Sequence, residues 1–346
     1  IGIIMKNIIH LSLLLLLCFS QSTIAEEVTE TQSSLTLGIN AHILDKNDAE
    51  VEKMINSMTA LGFNMVRIDV PWDMVEIKRN QYIVPPKWDR IINNIISRGI
   101  EPLLILDYGN SLYNNGDKPI TDDSREGFAK YAAFIVSHYS NVKYYQIWNE
   151  WDAPSAGTKK GTIDGYKELV KATYPLIKKA NPNAFVLTGA FSAAGFDKKF
   201  DIGLGDYYRQ YLSSEMSNFT DGVAVHPYTT YRPYPKNEYW FYLAQLKYFV
   251  DLVKNSNGFS DKPIFVTEIG WSTSLTKDGF SEEYQEKYLK SAICDAEKLG
   301  VNKIFLYDLK DDYPDRHKTS SGFGLYDYKW KPKPIVSSLR QLKCNK

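Results

Sequence analysis

Short apolar runs alternate with longer segments of helical periodicity along nearly the whole chain. The strand-like runs are Leu35–Ile43, Asn64–Val70, Ile100–Tyr108, Val142–Glu150, Ala184–Ala190, Gly222–His226, Ile264–Ile269 and Lys303–Leu309. They are rich in Val, Ile, Leu, Phe and Tyr and mostly apolar on both faces, the pattern of buried parallel strands. Between them the apolar positions recur at helical spacing, as at Val51, Met54, Ile55, Met58 and Leu61, or at Trp88, Ile91, Ile92, Ile95 and Ile96. The predicted helices are Asp48–Leu61, Pro86–Arg98, Ser124–Tyr139, Ile163–Ala180, Tyr207–Met216, Tyr239–Asn255, Ser281–Leu299 and Pro334–Leu342. Turn and cap signals punctuate them: Leu61-Gly62, Arg98-Gly99, Asn257-Gly258, Leu299-Gly300, and Ser281 ahead of two acids. Eight strands each followed by a helix predict an α/β fold, a (β/α)8 TIM barrel forming one domain over 35–346. A doubly wound open sheet is the structural rival, but no Gly-rich phosphate loop follows the first strand.

In such a barrel the reactive groups sit at the C-terminal strand ends. Polar residues fall there on nearly every strand: His42, Arg67 and Asp69, Asp107 and Asn110, Asn149 and Glu150, His226 and Tyr228, Glu268, and Asp308 with Lys310. Two of the runs, the fourth and the seventh, stop at a Glu that a Trp soon follows: Glu150 before Trp151, and Glu268 before Trp271. Barrel closure would bring these two carboxyls together. A carboxyl pair of this kind hydrolyses glycosidic bonds, one member protonating the leaving oxygen while the other attacks the anomeric carbon or activates water. Each residue also has a plainer reading. Arg67 could serve only as an interior ion pair with Asp69, His226 as a satisfied core histidine, and Trp72, Trp151 and Trp271 as packing rather than cleft walls.

The segment Ile147-Trp148-Asn149-Glu150 resembles the acid/base motif of the large clan of retaining (β/α)8 glycoside hydrolases, and Phe265-Val266-Thr267-Glu268-Ile269-Gly270-Trp271 resembles its nucleophile motif. Val66-Arg67-Ile68-Asp69 with Trp72 is similar to the second-strand motif, and Val225-His226-Pro227-Tyr228 to that of the sixth strand. Within the clan, Leu106-Asp107-Tyr108-Gly109-Asn110 and Tyr307-Asp308-Leu309-Lys310 most resemble glycoside hydrolase family 39 and its bacterial exopolysaccharide-processing relatives of the PslG type. The resemblance implies Glu150 as acid/base, Glu268 as nucleophile, Arg67 orienting Glu268, and Asn149 on the sugar 2-hydroxyl. It places Trp72, Asp107, Tyr108, Asn110, His226, Tyr228, Tyr307 and Lys310 around the substrate, and position at the strand ends adds His42, Trp151 and Trp271. One departure stands out: Leu306 occupies the eighth-strand place where the clan commonly has a Trp beneath the sugar, and Tyr307 substitutes if the register is shifted. The implied enzyme cuts a β-linked bacterial exopolysaccharide internally, with an exo-acting β-xylosidase or β-glucosidase and a non-catalytic carbohydrate-binding barrel as alternatives.

Composition narrows the partners. The 346 residues carry no net charge and lack a basic stripe, which argues against nucleic acid. Paired-His zinc spacing, a Gly-x-Ser-x-Gly turn and a P-loop are all missing, so neither metal nor other cofactor is implied. The expected partner is a polysaccharide or oligosaccharide, met by a monomer. Residues 1–25 read as a secretory signal peptide cleaved after Ala25, with a short apolar run at 8–19, and 26–34 as a flexible leader. The expected location is therefore the periplasm or the exterior, with no stable membrane span after cleavage. Cys294 and Cys344 lie at comparable heights on successive predicted helices, and either a bridge or two buried thiols fits that placement.

Overall fold

The computed structural model describes residues 35–196, 206–230 and 232–344. The signal-peptide and leader expectations lie outside the described residues. Eight parallel strands close into a barrel: β1 Thr36–Asn40, β2 Met65–Pro71, β3 Glu101–Asp107, β4 Tyr144–Ile147, β5 Phe185–Gly189, β6 Gly222–Val225, β7 Ile264–Ile269 and β8 Lys303–Leu306. Each strand pairs with its sequence neighbours, and β8 pairs with β1, with Thr36 opposite Lys303. The helices α1 Asp48–Leu61, α2 Pro86–Ser97, α3 Asp122–His138, α4 Ile163–Ala180, α5 Tyr207–Tyr211, α6 Tyr239–Lys254, α7 Glu282–Lys298 and α8 Pro334–Leu339 follow the strands in turn.

Local chemistry explains the element ends. In α1 the Asn47 side chain accepts from the Glu50 amide, acids occupy the first turn, and Gly62 at φ 78° closes the helix in the left-handed region. Ser281 caps α7 by accepting from the Tyr284 amide. Helix α5 stops at Tyr211 rather than Met216, and a separate 3-10 turn covers Met216–Phe219. Ser213 and Ser214, a residue type that favours turns and caps over helix interiors, lie at the break. A hairpin absent from the expected elements, Glu76–Lys78 with Gln81–Tyr82, follows β2. The buried Glu76 carboxylate anchors it by accepting from the Trp72 indole at 2.7 Å and the Tyr113 hydroxyl at 2.8 Å.

The core has two layers. Met65, Leu103, Ile105, Tyr144, Leu187, Phe265 and Phe305 fill the barrel interior, and a larger cluster packs the helices onto its outside. Gly38 makes room inside, since a Cβ there would stand 2.4 Å from the Phe305 ring. At the periphery a disulfide joins Cys294 on α7 to Cys344, with Cα atoms 5.1 Å apart. Among the described residues no helix is long and apolar enough to cross a membrane.

Candidate active site

The fourth strand ends earlier than its apolar run. After Ile147 the backbone turns through Trp148 at φ 65° and Glu150 at φ 46°. These left-handed conformations are costly for residues with a Cβ and cluster at functional sites. They are held by hydrogen bonds from the Trp148 amide to the Leu106 carbonyl (2.9 Å) and from the Glu150 amide to the Ala190 carbonyl (3.0 Å). The kink brings Asn149 and Glu150 to the barrel mouth. Glu268 reaches the same mouth from within β7. One carboxylate oxygen of each Glu and a ring nitrogen of His226 all lie within 4.8 Å of one another.

Each carboxyl is held differently. Arg67 Nη1 lies 2.9 Å from Glu268 Oε1 and 3.7 Å from Asp69 Oδ1, so its main partner is Glu268. The same guanidinium donates to Asn40 Oδ1 (2.9 Å) and to Asn149 Oδ1 (2.7 Å), tying β1, β2, β4 and β7 together. Tyr228 donates its hydroxyl to Glu268 Oε2 at 3.0 Å. Burial pushes the Glu268 carboxyl up, but the neighbouring His226 ring, the Arg67 guanidinium and the Tyr228 hydroxyl outweigh it, leaving the carboxyl below its ordinary value. Glu150 is the more exposed of the two; its Oε1 lies 3.0 Å from His226 Nδ1, while His226 Nε2 lies 2.9 Å from Thr267 Oγ1. His226 is fully buried, so it acts on the carboxyls rather than on a ligand.

Above the pair opens a cavity of about 390 Å³, walled by Tyr228, Tyr307 and Phe323 and bounded by Ser192, Ala193 and Arg232. Tyr307, and not Leu306, faces this space: Leu306 is fully buried, and the β8 register against β7 shifts between Ile304 and Leu306. Tyr108 stands nearby, its hydroxyl accepting from Asn149 Nδ2 at 3.2 Å.

Several expected contacts are corrected. Trp72, Trp151 and Trp271 have no exposed surface. The Trp151 indole donates to the Thr162 carbonyl (2.7 Å), and the Trp271 indole to Thr229 Oγ1 (3.0 Å). Both pack outward from the strand ends against the helices, Trp151 on Tyr166 of α4 and Trp271 among Tyr239 and Tyr242 of α6 and Tyr288 of α7. Asn110 is buried, donating to the Glu76 carbonyl at 2.8 Å, and so braces the hairpin. Asp107 is wholly buried with neither carboxylate oxygen hydrogen-bonded. Burial, reinforced by Asp69, holds its carboxyl well above the ordinary range. Lys310 pairs with Glu50 at 3.1 Å and borders a separate polar cavity of about 120 Å³. His42 borders that cavity too; its Nδ1 lies 2.8 Å from Asp312 Oδ1 and its ring stands edge-on to Tyr307. His42, Asp308 and Asp312 bring donor atoms within 4.8 Å of one another, the one grouping besides the Glu pair and His226 that could hold a cation among the described residues. The pair with Asp312 raises His42 to about 9 against the opposing effect of burial.

Sequence reasoning missed Asn40, Thr267, Asp312 and Phe323. Asn40 had a legible signal, a polar residue closing an apolar strand. Its side chain also donates to the Thr267 and Leu306 carbonyls, both at 3.1 Å.

A closed parallel barrel with two carboxyls juxtaposed at its C-terminal mouth is the architecture of the (β/α)8 glycoside hydrolases. The sequence agrees: residues 27–307, which include both Glu150 and Glu268, match the family described as Cellulase (glycosyl hydrolase family 5), and the chain belongs to that family. No curated protein matches the chain. Among solved structures it is similar to a family 39 glycoside hydrolase from the gut symbiont Bacteroides cellulosilyticus WH2, with 25% identity and a TM-score of 0.72 over 88% of this chain and 62% of that one. A monomeric β-xylosidase from Caulobacter crescentus CB15 shares the fold at 16% identity and a TM-score of 0.68, over 89% of this chain and 67% of that one. So does an exo-β-1,4-mannosidase from Opitutaceae bacterium strain TAV5, at 17% identity and a TM-score of 0.67, over 89% and 58%.

Proposed function

We propose that this enzyme hydrolyses a β-linked polysaccharide by double displacement with retention of configuration, Glu268 acting as nucleophile and Glu150 as acid/base. The observation that carries the reading is the closeness of the two carboxyls, with oxygens within 4.8 Å. Retaining enzymes place their carboxyls about 5–5.5 Å apart, whereas inverting enzymes leave roughly 6.5–9.5 Å for a water. In the first step Glu268 Oε forms a bond to the anomeric carbon as the glycosidic C–O bond breaks, and Glu150 gives its proton to the departing oxygen. In the second, water attacks that carbon, Glu150 takes the water's proton, and Glu268 is released as carboxylate.

The surrounding residues fit these steps. Arg67 and Tyr228 keep Glu268 anionic and aimed. Asn149, fixed by Arg67, is offered to the 2-hydroxyl, and Tyr108, Tyr228 and Tyr307 to the sugar faces and hydroxyls. Internal cleavage of a bacterial exopolysaccharide is favoured by a cavity that the connections after β5, β6 and β8 border, among the described residues, with Ser192, Tyr228, Arg232 and Phe323. The Cys294–Cys344 bridge supports action in the periplasm or outside the cell, where disulfides persist.

The test is NMR of the first-formed anomer with an activated aryl glycoside, together with product sizing on polymers. Retention and a ladder of oligosaccharides are expected. Inversion would refute the nucleophile, and release of monosaccharide alone would refute internal cleavage. Glu150→Ala should lower kcat by about 10²–10⁴-fold, and Glu268→Ala should leave no ordinary turnover.

A further inference from the structure

The connection from β6 to α6 builds two surfaces. Its first half, Tyr228, Thr230 and Arg232, walls the cavity above the Glu pair. Its second half opens outward: Tyr234, Pro235 and Glu238, with Trp240 at the start of α6 and Lys287 and Ser291 from α7, border a shallow groove of about 490 Å³. Tyr234 is 80% exposed and Trp240 51% exposed, a large apolar area to leave in water. Trp240 is nevertheless held in place. Its indole donates to the Pro235 carbonyl at 3.0 Å, and its ring stands edge-on to Phe241 at 5.3 Å. A ring fixed before binding loses little freedom when a ligand stacks on it.

We propose that this groove is a distal saccharide subsite, which receives a neutral segment of the same polysaccharide whose bond is cut between Glu150 and Glu268. The inference rests on the proposed hydrolysis and names where the rest of the polymer lies. Pyranose C–H faces are apolar and flat enough to stack on Trp240 and Tyr234, and the hydroxyl rim finds Ser291, Lys287 and Glu238. With one acid and one base at its border the groove selects neither a polyanion nor a polycation. The two surfaces lie on either side of the buried Phe241 ring. The Arg232 guanidinium carbon lies 4.9 Å from the Phe241 ring centre, and that ring lies 5.3 Å from Trp240. The Trp240 ring is therefore no more than about 10 Å from the cavity wall at Arg232, a distance a short run of sugar rings spans. The same connection thus borders both the cavity and the groove.

The experiment compares kcat/KM on an activated aryl β-glycoside with kcat/KM on a polymer, for the wild type, Trp240→Ala, Trp240→Phe and Tyr234→Ala. The polymer is whichever of soluble β-glucan, β-mannan, xylan and a set of bacterial exopolysaccharides the wild type cleaves fastest. In Trp240→Ala the polymer-to-aryl ratio should fall about tenfold, the loss of one well-packed aromatic contact, with the thermal midpoint as in wild type. Trp240→Phe should recover most of it. A ratio equal to that of wild type in both alanine variants, while the wild type still cleaves polymer, overturns the subsite and leaves the hydrolysis standing. The same unchanged ratio with a sedimenting dimer that Trp240→Ala splits assigns the groove to a second copy of the chain and also overturns it. A wild type that turns over neither substrate class overturns the hydrolysis itself.

Discussion

Removing the Arg67 guanidinium would leave Glu268 facing Glu150 with only the His226 ring and the Tyr228 hydroxyl to hold its charge. Attack needs ionised Glu268, so activity persists above the carboxyl's depressed pKa and is lost as pH falls through it. In Arg67→Gln that pKa rises. The acid limb of kcat/KM should move to higher pH, and kcat should fall about 10²-fold from the misplaced nucleophile. An unmoved acid limb in a pH–rate profile would place the shift elsewhere. Asp107 carries the opposite sign. Its carboxyl resists ionisation in the fold but ionises in the unfolded chain, so it lowers stability progressively as pH rises above the ordinary carboxylate range. Asp107→Asn should therefore unfold at a higher temperature than wild type at pH 7 and show no such gain at pH 4, measured by calorimetry. At this scale the two carboxyls and Arg67 were legible, because they sit in recognisable strand motifs. Asn40 was visible as a polar residue closing an apolar strand, but its role, like that of Thr267, exists only through partners on other strands.

At the scale of elements, the clearest strands and helices were those with uninterrupted periodicity. Strand β7 and helices α1 and α4 have the bounds their patterns predict. Strands β4 and β8 stop short because a run of apolar residues says nothing about the φ of Trp148 or the register shift before Leu306. The same element ends decide which way the tryptophans face. Trp271 leaves the mouth and packs among Tyr239 and Tyr242 of α6 and Tyr288 of α7. Trp271→Ala should accordingly cost about 3–5 kcal/mol of unfolding free energy, read by urea titration. A raised KM with unaltered stability would instead restore Trp271 to the cleft wall.

For the whole molecule, the Cys294–Cys344 bridge ties the segment after α8 to α7, across a separation of 50 residues. Replacing both cysteines by serine should lower the unfolding free energy by about 2–4 kcal/mol while kcat holds, and reductant should produce the same loss in wild type but none in the variant. Spacing left both the bridge and two buried thiols open, since pairing depends on how α7 and the segment after α8 are brought together. What the sequence by itself determined is the alternation of buried strands with amphipathic helices, and with it the barrel and the strand ends on which the two Glu residues sit. Those properties are local, written in periodicity and in the residues that stop each run. What only the tertiary structure decided is which side chains meet: Arg67 with Glu268 rather than Asp69, Tyr307 rather than Leu306 over the cavity, and three tryptophans turned into the core. Barrel closure brings distant strands together, and the direction of a side chain at a strand end depends on backbone angles and on neighbours that no short stretch of sequence contains.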